Sequence, residues 1–166
     1  MKYKLTNKKI DYLGRTLYQI EAVKKFGNIA KGQKGGFIEK KSNLSQDGNA
    51  WVYNYAMVYG DAKVCDNAKV YDCAKVRSAA VVCDNAIVRS NSDYLIIGPI
   101  DYQSGTTTFF KTSDKDKAIK VACNGFTGDI VAFQKKVIKT HGNNNYAKEY
   151  KLAIEIAKIH ILGKQK

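Results

Sequence analysis

The 166-residue chain contains few of the features that assign chemistry at a glance. No long apolar run is present: stretches such as Tyr94-Leu95-Ile96-Ile97 are far too short to span a bilayer, so no membrane partner is expected. The opening Met1-Lys2-Tyr3-Lys4 leads into polar sequence without an apolar h-region, so no secretory signal and a cytoplasmic location are expected. Histidine is limited to His141 and His160, and Cys65, Cys73, Cys83 and Cys123 include no CxxC pair. A structural zinc site is therefore not expected, and the thiols are expected to be reduced. There is no GxxxxGK[ST] or GxGxxG motif, and Gly32 and Gly35-Gly36 read as turn glycines, so no cofactor is expected. Acidic residues are scarce: 28 Lys+Arg against 15 Asp+Glu leave a net charge of +13. That excess points to an anionic partner such as a nucleotide, nucleic acid or acidic protein, or else serves only solubility.

What the chain does have is a repeat. Residues 49 to 90 read as seven hexads: NAWVYN, YAMVYG, DAKVCD, NAKVYD, CAKVRS, AAVVCD and NAIVRS. The second place is always Ala (50, 56, 62, 68, 74, 80, 86) and the fourth always Val (52, 58, 64, 70, 76, 82, 88). The phase extends upstream more loosely, with Ile38 and Leu44 at the Ala place. Two residues apart on an extended segment lie on one side, so Ala and Val point inward together. Small or polar residues at the junctions, such as Asn54, Gly60-Asp61, Asp72 and Ser78, accept left-handed corners. A strict period of six excludes an amphipathic helix, which needs one face at 3.6.

Val-x-x-x-Ala-x with turn residues between resembles the hexapeptide-repeat proteins. The resemblance implies a left-handed parallel β-helix with about three hexads per coil, hence about three coils from residues 36 to 93. At ~4.8 Å per coil the stack is only ~15 Å tall, and both open ends need covers. Here Tyr53, Tyr59, Cys65, Tyr71, Arg77, Cys83 and Arg89 follow Val, where the family often has Gly, Ala or an acid. The flanks, Met1-Lys2-Tyr3-Lys4-Leu5-Thr6 through Asn43-Leu44-Ser45 and Ile97-Gly98-Pro99-Ile100 through Tyr146-Ala147-Lys148-Glu149-Tyr150, resemble phage- and prophage-encoded members. The resemblance thus implies a setting in the cytoplasm of an infected host cell.

The whole is expected to be mainly β, in three parts. Residues 1–35 form an N-terminal β cap, with Arg15 to Ala22 alternating as a strand. Residues 36–93 form the β-helix. Residues 94–166 form an α+β module, β-β-β-α-α, with strands at 94–100, 106–112 and 119–123. Its first helix is expected to open at a Thr127 N-cap, carry Ile130, Val131, Phe133, Val137 and Ile138 on one side, and end at Gly142. Its second runs from Asn145 to Ile161.

The acyltransferases of the resembled family use a histidine near the coils, and the γ-type carbonic anhydrases need three as zinc ligands. No histidine lies between Gly36 and Asp93. His141 is expected to favour a helix C-terminus and His160 to sit at the end of the last helix. Cys65 and Cys83, 18 apart, are expected to stack on adjacent coils as unreactive thiols. The same spacing aligns Trp51, Lys69 and Ile87; Tyr53, Tyr71 and Arg89; Tyr59 and Arg77; and Met57 and Lys75. Aromatic rings beside cations can hold a base by stacking and a phosphate by charge-assisted hydrogen bonds. The candidate ligand residues are thus Tyr53, Tyr59, Lys69, Tyr71, Lys75, Arg77 and Arg89. The same columns suit a homotrimer interface, and ligand between prisms reconciles the two. The expected function is a non-catalytic phage protein that counters a bacterial defence system, sequestering an anionic nucleotide signal or blocking a defence protein or its nucleic acid. The alternatives are a hexapeptide-repeat acyltransferase and a structural phage trimer.

Overall fold

The computed structural model describes residues 1–103 and 105–163. The protein is mainly β, with fourteen strands and two α-helices among the described residues, and it divides into two compact units, Met1–Asn91 and Ser92–Lys166. No described helix is long and apolar enough to cross a membrane.

The first unit opens with an antiparallel hairpin, β1 (Tyr3–Tyr12) and β2 (Arg15–Ala22). Leu13 and Gly14 form its two-residue loop, both at positive φ as such a turn requires. β3 (Lys34–Ile38) runs antiparallel to β2 and is also the first strand of the repeat. The expected cap and the repeat therefore share one unit through a strand that belongs to both.

Each hexad then contributes a two-residue strand: β4 (Trp51–Val52), β5 (Met57–Val58), β6 (Lys63–Val64), β7 (Lys69–Val70), β8 (Lys75–Val76), β9 (Val81–Val82) and β10 (Ile87–Val88). Successive strands go to three ladders in rotation, β4-β7-β10, β3-β5-β8 and β6-β9, with parallel partners 18 residues apart from β4 onward. The first step is 20 residues, so Ile38 and Leu44 pair with Val58 and Val64 and take the Val place, not the Ala place expected of them. Each turn is clipped to the next by main-chain bonds such as Trp51 N–H to Ala68 O (3.0 Å) and Tyr53 N–H to Val70 O (2.8 Å). The Ala and Val of every hexad are buried, so two small side chains per strand fill the interior. The corners follow from the sixth place: Asn54, Gly60, Asp66, Asp72, Ser78 and Asp84 all have φ between 51° and 69°. Asn, Asp and Gly tolerate that left-handed conformation best.

Polar side chains finish the first turns. The wholly buried Asn43 amide donates to Gly60 O (3.0 Å) and Ala62 O (2.8 Å), and its Oδ1 accepts from Lys40 N–H (2.9 Å). Lys2 is also buried, with Nζ donating to the carbonyls of Asp47 (3.2 Å), Gly48 (3.4 Å) and Ala50 (3.0 Å). Trp51 occupies an outward place in its strand yet is fully buried, because Tyr3 and Phe26 pack edge-on against it.

The second unit is a four-stranded antiparallel sheet in the order β11 (Tyr94–Ile97), β12 (Thr107–Lys111), β13 (Ile119–Cys123), β14 (Phe126–Asp129), with helices α1 (Ile130–His141) and α2 (Asn145–Leu162) packed on it. The expected β-β-β-α-α order is corrected to β-β-β-β-α-α. Asn124-Gly125, both at positive φ, make a two-residue hairpin that pairs Cys123 with Phe126 and turns the chain into a fourth strand. Thr127 lies in that strand and the N-cap is Asp129, whose carboxylate accepts from Ala132 N–H (2.8 Å). Gly142 closes α1 as expected. The buried stripe of α1 is Phe133 and Val137; Val131 and Ile138 are exposed, since they lie off that stripe around the helix. On α2 the buried Tyr150, Ala153, Ile154, Ala157 and Ile161 keep the expected helical spacing.

Candidate ligand-binding face

The three ladders sort the seven candidate ligand residues onto two faces. Tyr53, Lys69, Tyr71 and Arg89 lie on the β4-β7-β10 ladder; Tyr59, Lys75 and Arg77 lie on the β3-β5-β8 ladder. The expected columns hold in register: Trp51, Lys69 and Ile87 pair in line, as do Met57 and Lys75.

On the first of these faces the side chains form a continuous stack. The Tyr53 and Tyr71 rings are 4.4 Å apart and 11° from parallel, and the Arg89 guanidinium sits 4.5 Å over Tyr71. Arg89 is also 3.8 Å from Asp72. Burial and, next, the adjacent Tyr71 push the Tyr53 phenol up to about 12, so it is a neutral hydrogen-bonding group at physiological pH. Tyr53 and Lys69 line a cavity of about 230 Å³ together with Asn49, Asn67 and the Gly27–Ile29 loop. Asn49 Nδ2 donates to Asn67 Oδ1 (3.1 Å), and Asn67 Nδ2 to Asn85 Oδ1 (3.4 Å), an amide ladder with the same 18-residue step. An aromatic stack, a cation and amide groups thus meet at one shallow site.

The second of these faces is largely taken up by the first hairpin. Tyr59 is buried in a cluster with Leu17 and Phe37, its ring edge-on to Tyr12 (5.8 Å) and under Arg15 (6.0 Å). Lys75 Nζ donates to Tyr12 Oη (2.9 Å) and lies 4.7 Å over that ring; the hydrogen bond foremost raises the lysine pKa. Glu39, one turn before Tyr59, accepts from Gly60 N–H (2.6 Å) and from Arg15 (2.8 Å); the Gly60 bond foremost holds its carboxyl below the usual range. Arg77 stays exposed. Hydrophobic alternation marked Arg15 to Ala22 as a strand, but nothing in the spacing of the repeat said which face that strand would cover.

A second group, in the other unit, was not legible in the sequence. Tyr150 Oη donates to Asp101 Oδ2 (2.9 Å), and His141 Nε2 is 3.8 Å from the same oxygen, with both the His and Asp side chains over nine-tenths buried. Cys123 Sγ accepts from Thr107 Oγ1 (3.1 Å) and lies 3.8 Å from Tyr150 Oη. Burial first, then Cys123 and Asp101, pushes the Tyr150 phenol well above its ordinary value. Asp101, Cys123, His141 and Tyr150 line, with Lys136, a cavity of about 170 Å³. His141 ends α1 as expected but points inward. His160 also exceeds its expected part, its Nε2 lying 3.1 Å from Tyr94 O. No spacing rule links Asp101, Cys123, His141 and Tyr150, which come from a loop, a strand and two helices.

Compared with known proteins, no family model matches the chain. No curated protein matches it either.

Proposed function

We propose that this protein binds an anionic nucleotide-type ligand without catalysis, at the Tyr53–Tyr71–Arg89 face. The observation that carries the reading is the parallel Tyr53–Tyr71 stack, capped by Arg89 and adjoining a cavity with Lys69. A base stacks on the Tyr53 ring face turned away from Tyr71, while Lys69 and the Asn49 and Asn67 amides meet phosphate. In the same proposal the repeat is a left-handed parallel β-helix of about three coils. The rotation of strands among three ladders and the left-handed corners support it. The flanks support a phage setting, in which the protein sequesters a bacterial immune signal, or blocks a defence protein, in the cytoplasm of the infected host. A homotrimer of such prisms places ligand between copies.

Incubation of the purified protein with cyclic oligonucleotides or ADP-ribose-type signals, followed by heat release, tests this. Intact ligand is recovered at micromolar concentration, Tyr53→Ala and Lys69→Ala each weaken capture about tenfold or more, and Arg89→Ala, at the far end of the stack, weakens it less. No recovered ligand means that sequestration is wrong. Native mass spectrometry reads the trimer and any copurified ligand together.

The buried Asp101–His141 pair favours one second reading, acid–base catalysis in the C-terminal unit, with an acyltransferase as the specific case. Cleavage of acetyl-CoA thioester that His141→Ala abolishes distinguishes it from binding alone.

A further inference from the structure

The β6-β9 ladder, the third face of the repeat, carries a different chemistry. The dipeptide Cys-Asp occurs twice in the repeat, at 65–66 and 83–84, one 18-residue step apart. Stacking therefore brings two Cys-Asp corners together. Cys65 Sγ, Cys83 Sγ and a carboxylate oxygen of Asp66 all lie within 4.8 Å of one another. We propose that Cys65, Cys83 and Asp66 form a binding site for a soft divalent cation of the zinc and cadmium class.

The geometry is close to what such an ion needs. Tetrahedral zinc with M–S near 2.3 Å and M–O near 2.1 Å sets ligand–ligand edges of about 3.6–3.8 Å. Cys65 Sγ is already 3.9 Å from Asp66 Oδ2. The ligands also sit on fixed backbone. Cys65 N–H donates to Val82 O (3.0 Å), Asn49 N–H to Asp66 O (2.6 Å) and Asn67 N–H to Asp84 O (2.9 Å). Asp84 N–H donates to Asp66 Oδ2 (2.9 Å), which orients the carboxylate and leaves it lone pairs for a metal. Cys83 is buried and Cys65 half-buried, so the ion enters from the Cys65 side. Three protein ligands leave one tetrahedral position for water or an exogenous ligand. Two thiols select against magnesium and calcium, which prefer oxygen.

In the metal-free protein the two cysteines are free thiols, which are protonated at neutral pH. Binding replaces two S–H bonds with two M–S bonds and releases about two protons per ion to solvent. The bound ion joins consecutive turns of the repeat and stabilises them by mass action.

The test is titration of the fully reduced protein with Cd²⁺ under anaerobic conditions, read by thiolate-to-cadmium charge-transfer absorption. One equivalent saturates the band, and about two protons appear in a weakly buffered parallel titration. Cys65→Ser and Cys83→Ser each abolish the band, Asp66→Asn weakens binding while keeping it, and Cys73→Ser leaves it unchanged. Should Cys83→Ser not fold, the half-buried Cys65→Ser alone decides, since its fold is checked by circular dichroism. Zn²⁺ also raises the melting temperature of the wild type and not of folded Cys65→Ser. A band that survives Cys65→Ser, or no band at one equivalent, overturns the proposal.

Discussion

Two buried polar groups near the start of the repeat have opposite energetic standing. Lys2 Nζ satisfies three carbonyls, whereas among the described residues no acceptor reaches the buried Trp51 Nε1. Removing the Lys2 ammonium leaves those carbonyls short of a donor, so Lys2→Met destabilises by about 2–3 kcal/mol. Trp51→Phe loses packing volume but also an unsatisfied N–H, so its cost stays within about 1 kcal/mol. Urea unfolding of the two variants checks both. The same residues set an alkaline profile. Burial lowers Lys2 to about 8 against an ordinary value of 10.5, so between those pH values the unfolded chain holds more protons and stability rises with pH. Burial raises Tyr3 and Tyr53 to about 12, so the unfolded chain loses those protons first and stability falls from about pH 10 to 12. Denaturation midpoints measured from about pH 7 to 12 pass through a maximum near pH 10, and Lys2→Met flattens the rising limb.

At the scale of elements, the repeat rests on two small inward side chains and one left-handed corner per strand. Val70→Ala opens a void at a fully buried place in β7, the middle strand of its ladder, and costs about 2–3 kcal/mol. Gly48→Ala costs at least as much, because its φ is +65° and an added methyl collides with the Asp66 carbonyl. Thermal melts of both variants test the ranking against an exposed control such as Lys63→Ala. These elements were legible in the sequence because Ala and Val recur with one period and the corner residues recur with it. The hairpin at Asn124-Gly125 was written there too, but Thr127 also suited a helix N-cap; the turn pairs Phe126–Asp129 back onto β13, and the helix opens two residues later, at Asp129. Of the candidate site, the Tyr53–Tyr71–Arg89 column followed from the 18-residue step. The burial of Tyr59 and the capture of Lys75 by Tyr12 did not, since both depend on a hairpin more than forty residues away in sequence. Asp101, His141 and Tyr150 meet only through packing of the C-terminal unit.

For the whole molecule, charge is divided unevenly along the chain. Residues 1–48 carry 11 basic and 4 acidic side chains, residues 49–93 five of each, and residues 94–166 twelve and six. The repeat is neutral, and the cavity beside Tyr53 is bordered by the Gly27–Ile29 loop of the basic first segment. Binding of an anionic ligand there weakens as salt rises, through screening of a few lysines rather than a long polyelectrolyte track. Titrations at about 50 and 200 mM salt distinguish the two: about a tenfold loss fits a compact site, and a loss of about a thousandfold or more fits a nucleic-acid track.

Because residues 18 apart occupy the same place on successive turns, the repeat counts in whole turns. Excising 18 residues within it, from one corner to its equivalent, leaves every downstream residue on its own ladder and moves it by one strand spacing, about 4.8 Å. Excising six sends each downstream hexad to the neighbouring ladder, so the tyrosines, the lysine column and the paired thiols exchange faces. Insertions and deletions from β4 onward are therefore quantised, with 18 as the unit that keeps the same side chains together on each face.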